Sequence, residues 1–96
     1  MILEILLQQV PNQTLSVTIN NDSYDLELNT RLDQLYMSII KNNVPVVYNR
    51  ICQNRNEIKE GFVLIDMDAN DDPAFNQFND RFKLVWTDEL WISADL

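Results

Sequence analysis

The sequence predicts an all-β fold, specifically a small antiparallel β-sandwich or partly open barrel built from hairpins. Apolar and polar residues alternate with a period of two in Thr14–Ile19 and again in Tyr24–Asn29, which is typical of half-buried strands. Asn20-Asn21-Asp22 separates the two segments, and Asn and Asp tolerate the positive φ of a tight hairpin turn. Because 96 residues suit one modest core, residues 1–96 are expected to form a single β domain.

A second hairpin is expected directly after the first. Its strands are Gln34–Ile40 and Val44–Tyr48, joined by a turn at Lys41-Asn42-Asn43. Pro45 has no backbone N–H to donate, so it indicates an edge strand or the start of a strand.

The rest of the chain is predicted to alternate polar connections with short apolar strands. The link 53–57 is polar and could hold one helical turn, and Gly61 opens a short apolar strand at Phe62–Asp66. An irregular polar loop is expected from Asp68 to Asp80. The last predicted strands are Phe82–Trp86 and Leu90–Ile92.

The segment 1–9 is predicted to contain a strand that needs cover on both faces, because its apolar residues do not keep to one face. The cover would come from the body of the domain or from a neighbouring subunit. Trp86 and Trp91 have two interpretations, as core aromatics or as anchors for a partner subunit. The residues predicted to contact a partner are Ile2, Leu3, Ile5, Leu7, Trp86 and Trp91.

The composition argues against catalysis. The chain has no His, so the commonest general base and the commonest metal ligand are both missing. Its single glycine rules out a glycine-rich phosphate loop. Cys52 is the only cysteine, which excludes an intrachain disulfide, and it is predicted to be a small buried hydrophobe. We therefore expect a protein that is not an enzyme, with no catalytic residue and no cofactor.

The acidic segment Asp66–Asp72 begins with the Asp-x-Asp-x-Asn spacing of a calcium-binding EF-hand loop. The match then fails, because Asp71 stands where glycine is required and Gln77 stands where a bidentate Glu is required. A solvated acidic loop without metal is the preferred interpretation, and a calcium-modulated module is a lesser alternative.

A net charge of −8 argues against sequence-independent binding of nucleic acid, which needs clustered Lys and Arg. No stretch approaches the roughly 20 apolar residues that span a bilayer, so no membrane partner is expected. The acidic surface either serves solubility alone, repels DNA, or faces a basic partner.

Two motifs in the chain are distinctive. Pro11-Asn12-Gln13 opens the first hairpin, with Leu15-Ser16-Val17 behind it, and Asp72-Pro73 precedes the final strands. With the hairpins between them, these motifs resemble the baseplate plug proteins of cyanophage-type myophages. The resemblance covers residues 9–88.

The plug family tends to carry Trp where this chain has Leu35 and a turn glycine where it has Asn43. Both replacements suit the same geometry. The resemblance implies an all-β structural component of a contractile-tail baseplate, present in multiple copies around the tail axis. It would contact the baseplate hub, tube-initiator and spike proteins and help to close the tail lumen until DNA ejection, in a virion assembled in the host cytoplasm.

An alternative function of another class is an acidic phage inhibitor or DNA mimic that blocks a basic host site. Such a protein would need carboxylates that form one contiguous face with the spacing of phosphates. The acidic residues of this chain are instead dispersed over several turns and strands.

Overall fold

Residues 2–88 of the computed structural model form eight strands and one short 3-10 helix. The helix, Phe75–Gln77, lies in the loop before the last strand. The strands in chain order are β1 (Ile2–Ile5), β2 (Gln13–Ile19), β3 (Asp22–Arg31), β4 (Gln34–Lys41), β5 (Val44–Ile51), β6 (Glu57–Lys59), β7 (Phe62–Asp66) and β8 (Phe82–Thr87).

The strands form two antiparallel sheets of four strands each. One sheet has the order β1-β8-β7-β6, and the other has the order β2-β3-β4-β5. The two sheets are not closed into a barrel. The predicted antiparallel all-β fold is confirmed. β1 pairs with β8 of the same chain, with Ile2 opposite Thr87 and Ile5 opposite Leu84. The N-terminal strand therefore has a partner within the domain.

The two predicted hairpins are confirmed, and both have two-residue turns. The central residues Asn20 and Asn21 have φ of 51° and 68°, and Asn42 and Asn43 have φ of 50° and 66°. Positive φ at both central positions is what a type I′ turn requires, and Asn tolerates it. Pro45 lies in β5, which is an edge strand as predicted.

The core lies between the two sheets and is built from inward-facing residues of both. Leu28, Met37 and Ile39 of the second sheet and Phe62 and Leu64 of the first are fully buried. The Tyr24 ring meets the Phe62 ring edge to face, with centroids 5.2 Å apart and an interplanar angle of 76°. Burial of each such side chain stabilises the fold by roughly 1.5–3 kcal/mol.

The secondary structure differs from the sequence prediction in two places. The link 53–57 contains a turn but no helix, and the helical turn lies instead at Phe75–Gln77. The short strand β6 precedes Gly61 and pairs with β7, so Gly61 lies in a hairpin turn that the sequence did not predict. The predicted strand Leu90–Ile92 lies outside the described residues.

The two ends of the molecule are different in construction. One end, here called the turn end, carries the turns Asn20-Asn21, Asn42-Asn43 and Glu60-Gly61, which contact one another through Asp22, Lys41 and Glu60. The opposite end, here called the loop end, carries the segments 6–12, 52–56 and 67–81 and the turn between β3 and β4.

Candidate interaction surfaces

A groove of about 480 Å³ lies between β1 and β2, where the two sheets fail to meet. Residues 3–6 line one side and residues 15–19 line the other. Among the strands of residues 2–88, both are sheet edges, and an edge strand presents a row of unpaired backbone N–H and C=O groups. Half-buried Leu3, Leu15 and Val17 make the lining apolar. An extended peptide could pair with either edge and place apolar side chains inside.

The residues predicted to contact a partner do not form one surface. Ile2 is half exposed and Leu3 lines the groove, so both are accessible to a neighbour. Ile5 and Leu7 are buried in the core of the chain itself. The contact of these residues with a partner remains a prediction.

Trp86 lies in the core, with 7% of its surface exposed, which agrees with the first of its two interpretations. Its indole Nε1 donates a hydrogen bond of 3.0 Å to the carbonyl oxygen of Glu60. The ring is thereby held against the β6–β7 turn. Trp91 lies outside the described residues.

The Pro11-Asn12-Gln13 motif connects the crossover between β1 and β2 to the end of β3. The Thr30 hydroxyl donates to the carbonyl oxygen of Pro11 at 2.9 Å, and the Thr30 N–H donates to Asn12 Oδ1 at 3.2 Å. The Gln13 amide bonds both the N–H and the carbonyl of Gln8, at 3.0 and 2.7 Å. The motif therefore fixes the path of the loop at the loop end.

The Asp72-Pro73 motif has a similar local role. Asp72 Oδ1 accepts a hydrogen bond of 3.2 Å from the backbone N–H of Asn54, and Pro73 is buried. The motif thus holds the 67–81 segment against the link between the two sheets.

The carboxylate of Asp66 is the centre of the 67–81 loop. Its oxygens accept backbone hydrogen bonds from Asp68, Ala69 and Asp71 at 2.9, 3.1 and 2.9 Å. Arg81 donates two more, from Nε to Oδ1 at 2.9 Å and from Nη2 to Oδ2 at 2.8 Å. This bidentate pair joins the two ends of the loop.

The bonds from Arg81 hold the pKa of Asp66 well below its usual range, and the three backbone N–H groups act in the same direction against the effect of burial. The Asp66 side chain has no exposed surface. The prediction of a solvated acidic loop is therefore wrong at its first residue, although Asp68, Asp71 and Asp72 are exposed. The Asp66 oxygens are already occupied by Arg81 and by backbone N–H donors, so they do not indicate a metal site.

The described part of the chain offers neither a cluster of metal ligands nor a reactive thiol. Within residues 2–88, no three Cys, Asp or Glu side chains converge in a way that could hold a metal ion. Burial raises the pKa of the Cys52 thiol to about 12, so the reactive thiolate is scarce at neutral pH. Cys52 is a small buried residue, as predicted.

Among residues 2–88, three of the basic side chains form ion pairs with acids of the same described range. Lys41 lies 3.7 Å from Asp22 and 3.4 Å from Glu60, and Lys83 lies 3.6 Å from Glu4. Arg81 binds Asp66 and Asp71. This pairing reduces the cationic surface and leaves the exterior strongly acidic. No helix within residues 2–88 has the length and apolar character that a membrane span requires.

A long-range ion pair and an exposed turn residue are among the features of the loop end that the sequence did not predict. The Asp66–Arg81 pair joins residues 15 positions apart, and no local pattern links them. Leu32 lies in the β3–β4 turn with φ of 48°, and 98% of its surface is exposed. A leucine between Arg31 and Asp33, where the alternation stops, was the available signal.

Together these observations define a small two-sheet β protein whose polar clusters hold loops in place and whose sheet edges are open. The chain matches the protein family described as "Cyanophage baseplate Pam3 plug gp18" over residues 2–89, and it belongs to this family. No curated protein matches the chain. The resemblance inferred from the sequence motifs is thereby confirmed. The family indicates a structural part of the virion tail that associates with other baseplate components.

Proposed function

We propose that the chain binds the central hub and tube of a contractile-tail baseplate and helps to close the tail lumen until DNA is ejected. The observation that carries the proposal is the family match over residues 2–89. The match favours this function over an acidic inhibitor or DNA mimic. It also favours a structural, non-enzymatic role in a virion assembled in the host cytoplasm.

The structure offers suitable surfaces for docking in such an assembly. The groove between β1 and β2 can receive an extended segment of a hub, tube-initiator or spike protein, because no other described strand pairs with either of its rims. Exposed Ile2 and half-buried Leu3 supply apolar contact area at one of these rims. Multiple copies around the tail axis would repeat this contact.

The charge supports a position next to DNA that must pass without binding. The net charge is −8, and part of the small basic complement is neutralised within the chain by Asp and Glu. A surface of the same sign as the DNA phosphates releases few counterions on contact and therefore gives no strong non-specific binding.

The proposal is tested by producing phage particles without this chain. We expect tails that assemble poorly, or particles that lose DNA during storage, measured as nuclease-sensitive DNA per particle. Supply of the wild-type chain from a plasmid should restore retention. Particles that lack the chain but have complete baseplates and normal DNA retention would contradict the proposal.

A further inference from the structure

Three tight turns of the second sheet share one backbone geometry but not one sequence type. The turns between β2 and β3 and between β4 and β5 are Asn-Asn, whereas the turn between β3 and β4 is Leu32-Asp33, with φ of 48° and 64°. Left-handed backbone is tolerated by Asn and Asp and is strained for a bulky residue such as Leu. The first position of this turn therefore carries a residue that opposes its own geometry.

Leu32 gains nothing from packing in return for this strain. With 98% of its surface exposed, it is the most exposed of the large hydrophobic residues among those described, ahead of Leu6 at 72%. A leucine that is both strained and solvated makes the isolated fold less stable than asparagine would. Backbone strain that the fold does not require points to a role in function.

The surface beside Leu32 is concave and partly apolar. A cavity of about 290 Å³ lies between the β3–β4 hairpin and the 67–81 loop, and its lining includes Leu35, Pro73 and Phe75. Asp33 borders this cavity and, together with Asp72, a smaller adjoining one. The hairpin tip is thus an apolar projection next to an apolar recess, with two exposed carboxylates beside them.

We propose that Leu32 is a docking anchor that inserts into an apolar pocket with a basic rim on a neighbouring protein of the baseplate. The recess next to it would receive an apolar side chain of the same neighbour, and Asp33 and Asp72 would face the basic rim. The inference rests on the proposed docking within the baseplate but does not depend on closure of the lumen. An anionic lipid surface is a poor partner, because the two carboxylates would be repelled by it.

The test measures how wild type and a variant compete for incorporation into the particle. Cells infected with phage that lack this chain express the wild-type chain and Leu32→Asn in equal amounts, and purified particles are digested with trypsin. Cleavage after Arg31 releases the peptide 32–41, which reports the variant by mass. We expect at least about a tenfold excess of wild type, because the variant cannot bury the apolar side chain in the partner. Equal incorporation would overturn the proposal.

Two control variants separate docking from folding. Leu32→Met keeps an apolar side chain and should enter particles as well as wild type does, whereas exclusion of this variant would contradict an apolar pocket. Val44→Thr removes an apolar side chain that is 63% exposed on β5, and it should compete equally. The melting temperature of Leu32→Asn should equal or exceed that of wild type, so its exclusion would not reflect misfolding.

Two further results distinguish this proposal from its alternatives. Native mass spectrometry should give the same oligomeric state for the purified wild-type chain and Leu32→Asn. A wild-type oligomer that the substitution dissociates would overturn the assignment of the partner as a different protein. Particles without the chain could retain DNA normally while wild type still outcompetes Leu32→Asn. This result would contradict the proposed closure of the lumen but would support Leu32 as a docking anchor.

Discussion

The turn end and the loop end of this protein use the same kind of contact, a cation between two carboxylates, in opposite environments. At the turn end, Lys41 lies between Asp22 and Glu60, and all three side chains are about one-third exposed. At the loop end, Arg81 lies between Asp66 and Asp71, and Asp66 has no exposed surface. Water can replace the contacts of Lys41 with its two carboxylates, but it cannot reach the buried Asp66 carboxylate to replace Arg81. Loss of a charge should therefore have very different effects at the two ends.

The largest effect is expected from Asp66→Asn. This change leaves Arg81 facing a neutral amide and also weakens three backbone hydrogen bonds. We expect the melting temperature to fall by on the order of 15 °C. The matched control is Asp22→Asn at the turn end, which should lower it by a few degrees at most. Equal shifts for the two variants, measured by circular dichroism, would remove the distinction between the ends.

The stabilising effect of Asp66 should also depend on pH. Because the pKa of Asp66 is lowered in the folded state, mainly by Arg81, its stabilising effect is complete above its unfolded pKa and is lost as pH falls toward the folded value. The difference in melting temperature between wild type and Asp66→Asn should stay constant from about pH 7 to 5 and shrink below about pH 4. A difference that persists unchanged into strong acid would contradict this assignment.

At the turn end, the most sensitive position is expected to be Gly61. Its φ is +89°, and a Cβ there would collide with the carbonyl oxygen of Thr87 and press on the Trp86 ring. Gly61→Ala should lower the free energy of unfolding by about 2 kcal/mol, measured by urea denaturation. Ser23→Ala, an exposed strand position at the same end, should change it little. A neutral Gly61→Ala would show that the β6–β7 turn is free to shift.

The smallest effects are expected from an exchange of turn residues. Leu32→Asn relieves a strained backbone at the loop end and should raise the free energy of unfolding by about 1 kcal/mol. Asn20→Leu, which creates the same strain at the turn end, should lower it by about the same amount. If both variants lower the stability, Leu32 has a stabilising contact within its own chain, and its exposure and strain do not indicate a docking role.

The two ends also differ in how far the sequence predicts them. Asn20-Asn21 lies between two segments of clear alternation, and Asn42-Asn43 lies between two largely apolar segments, so both turns and their strands were predicted from local pattern. β6 escaped prediction because Glu57-Ile58-Lys59 has only one apolar residue and forms no pattern by itself. Local sequence pattern is therefore enough to predict strands whose pairing partners are close in sequence and have a clear pattern of their own.

The loop end depends on contacts between distant residues, and these have no local signal. Phe78 lies in a polar stretch but is fully buried, and Leu7 receives a hydrogen bond from Asn79 across 72 positions. In the sequence, Asp66 is one of several acidic residues in a predicted solvated loop, and only the structure shows that Arg81 binds its carboxylate. The two family motifs lie at this end, but the hydrogen bonds that they make could not be predicted from the sequence.

The open gap between β1 and β2 has a consequence for the protein before it is assembled. Both strands at the gap are edges of the sheets formed by residues 2–88, and unpaired edges are a template on which copies of a chain can pair edge to edge, as in fibrils. Every copy carries a charge of −8, and at physiological ionic strength its repulsion extends over about 8 Å, further than the ~4.8 Å that separates paired strands. We therefore expect the acidic surface to keep unassembled copies dispersed, and high salt to shorten the time for which they remain so.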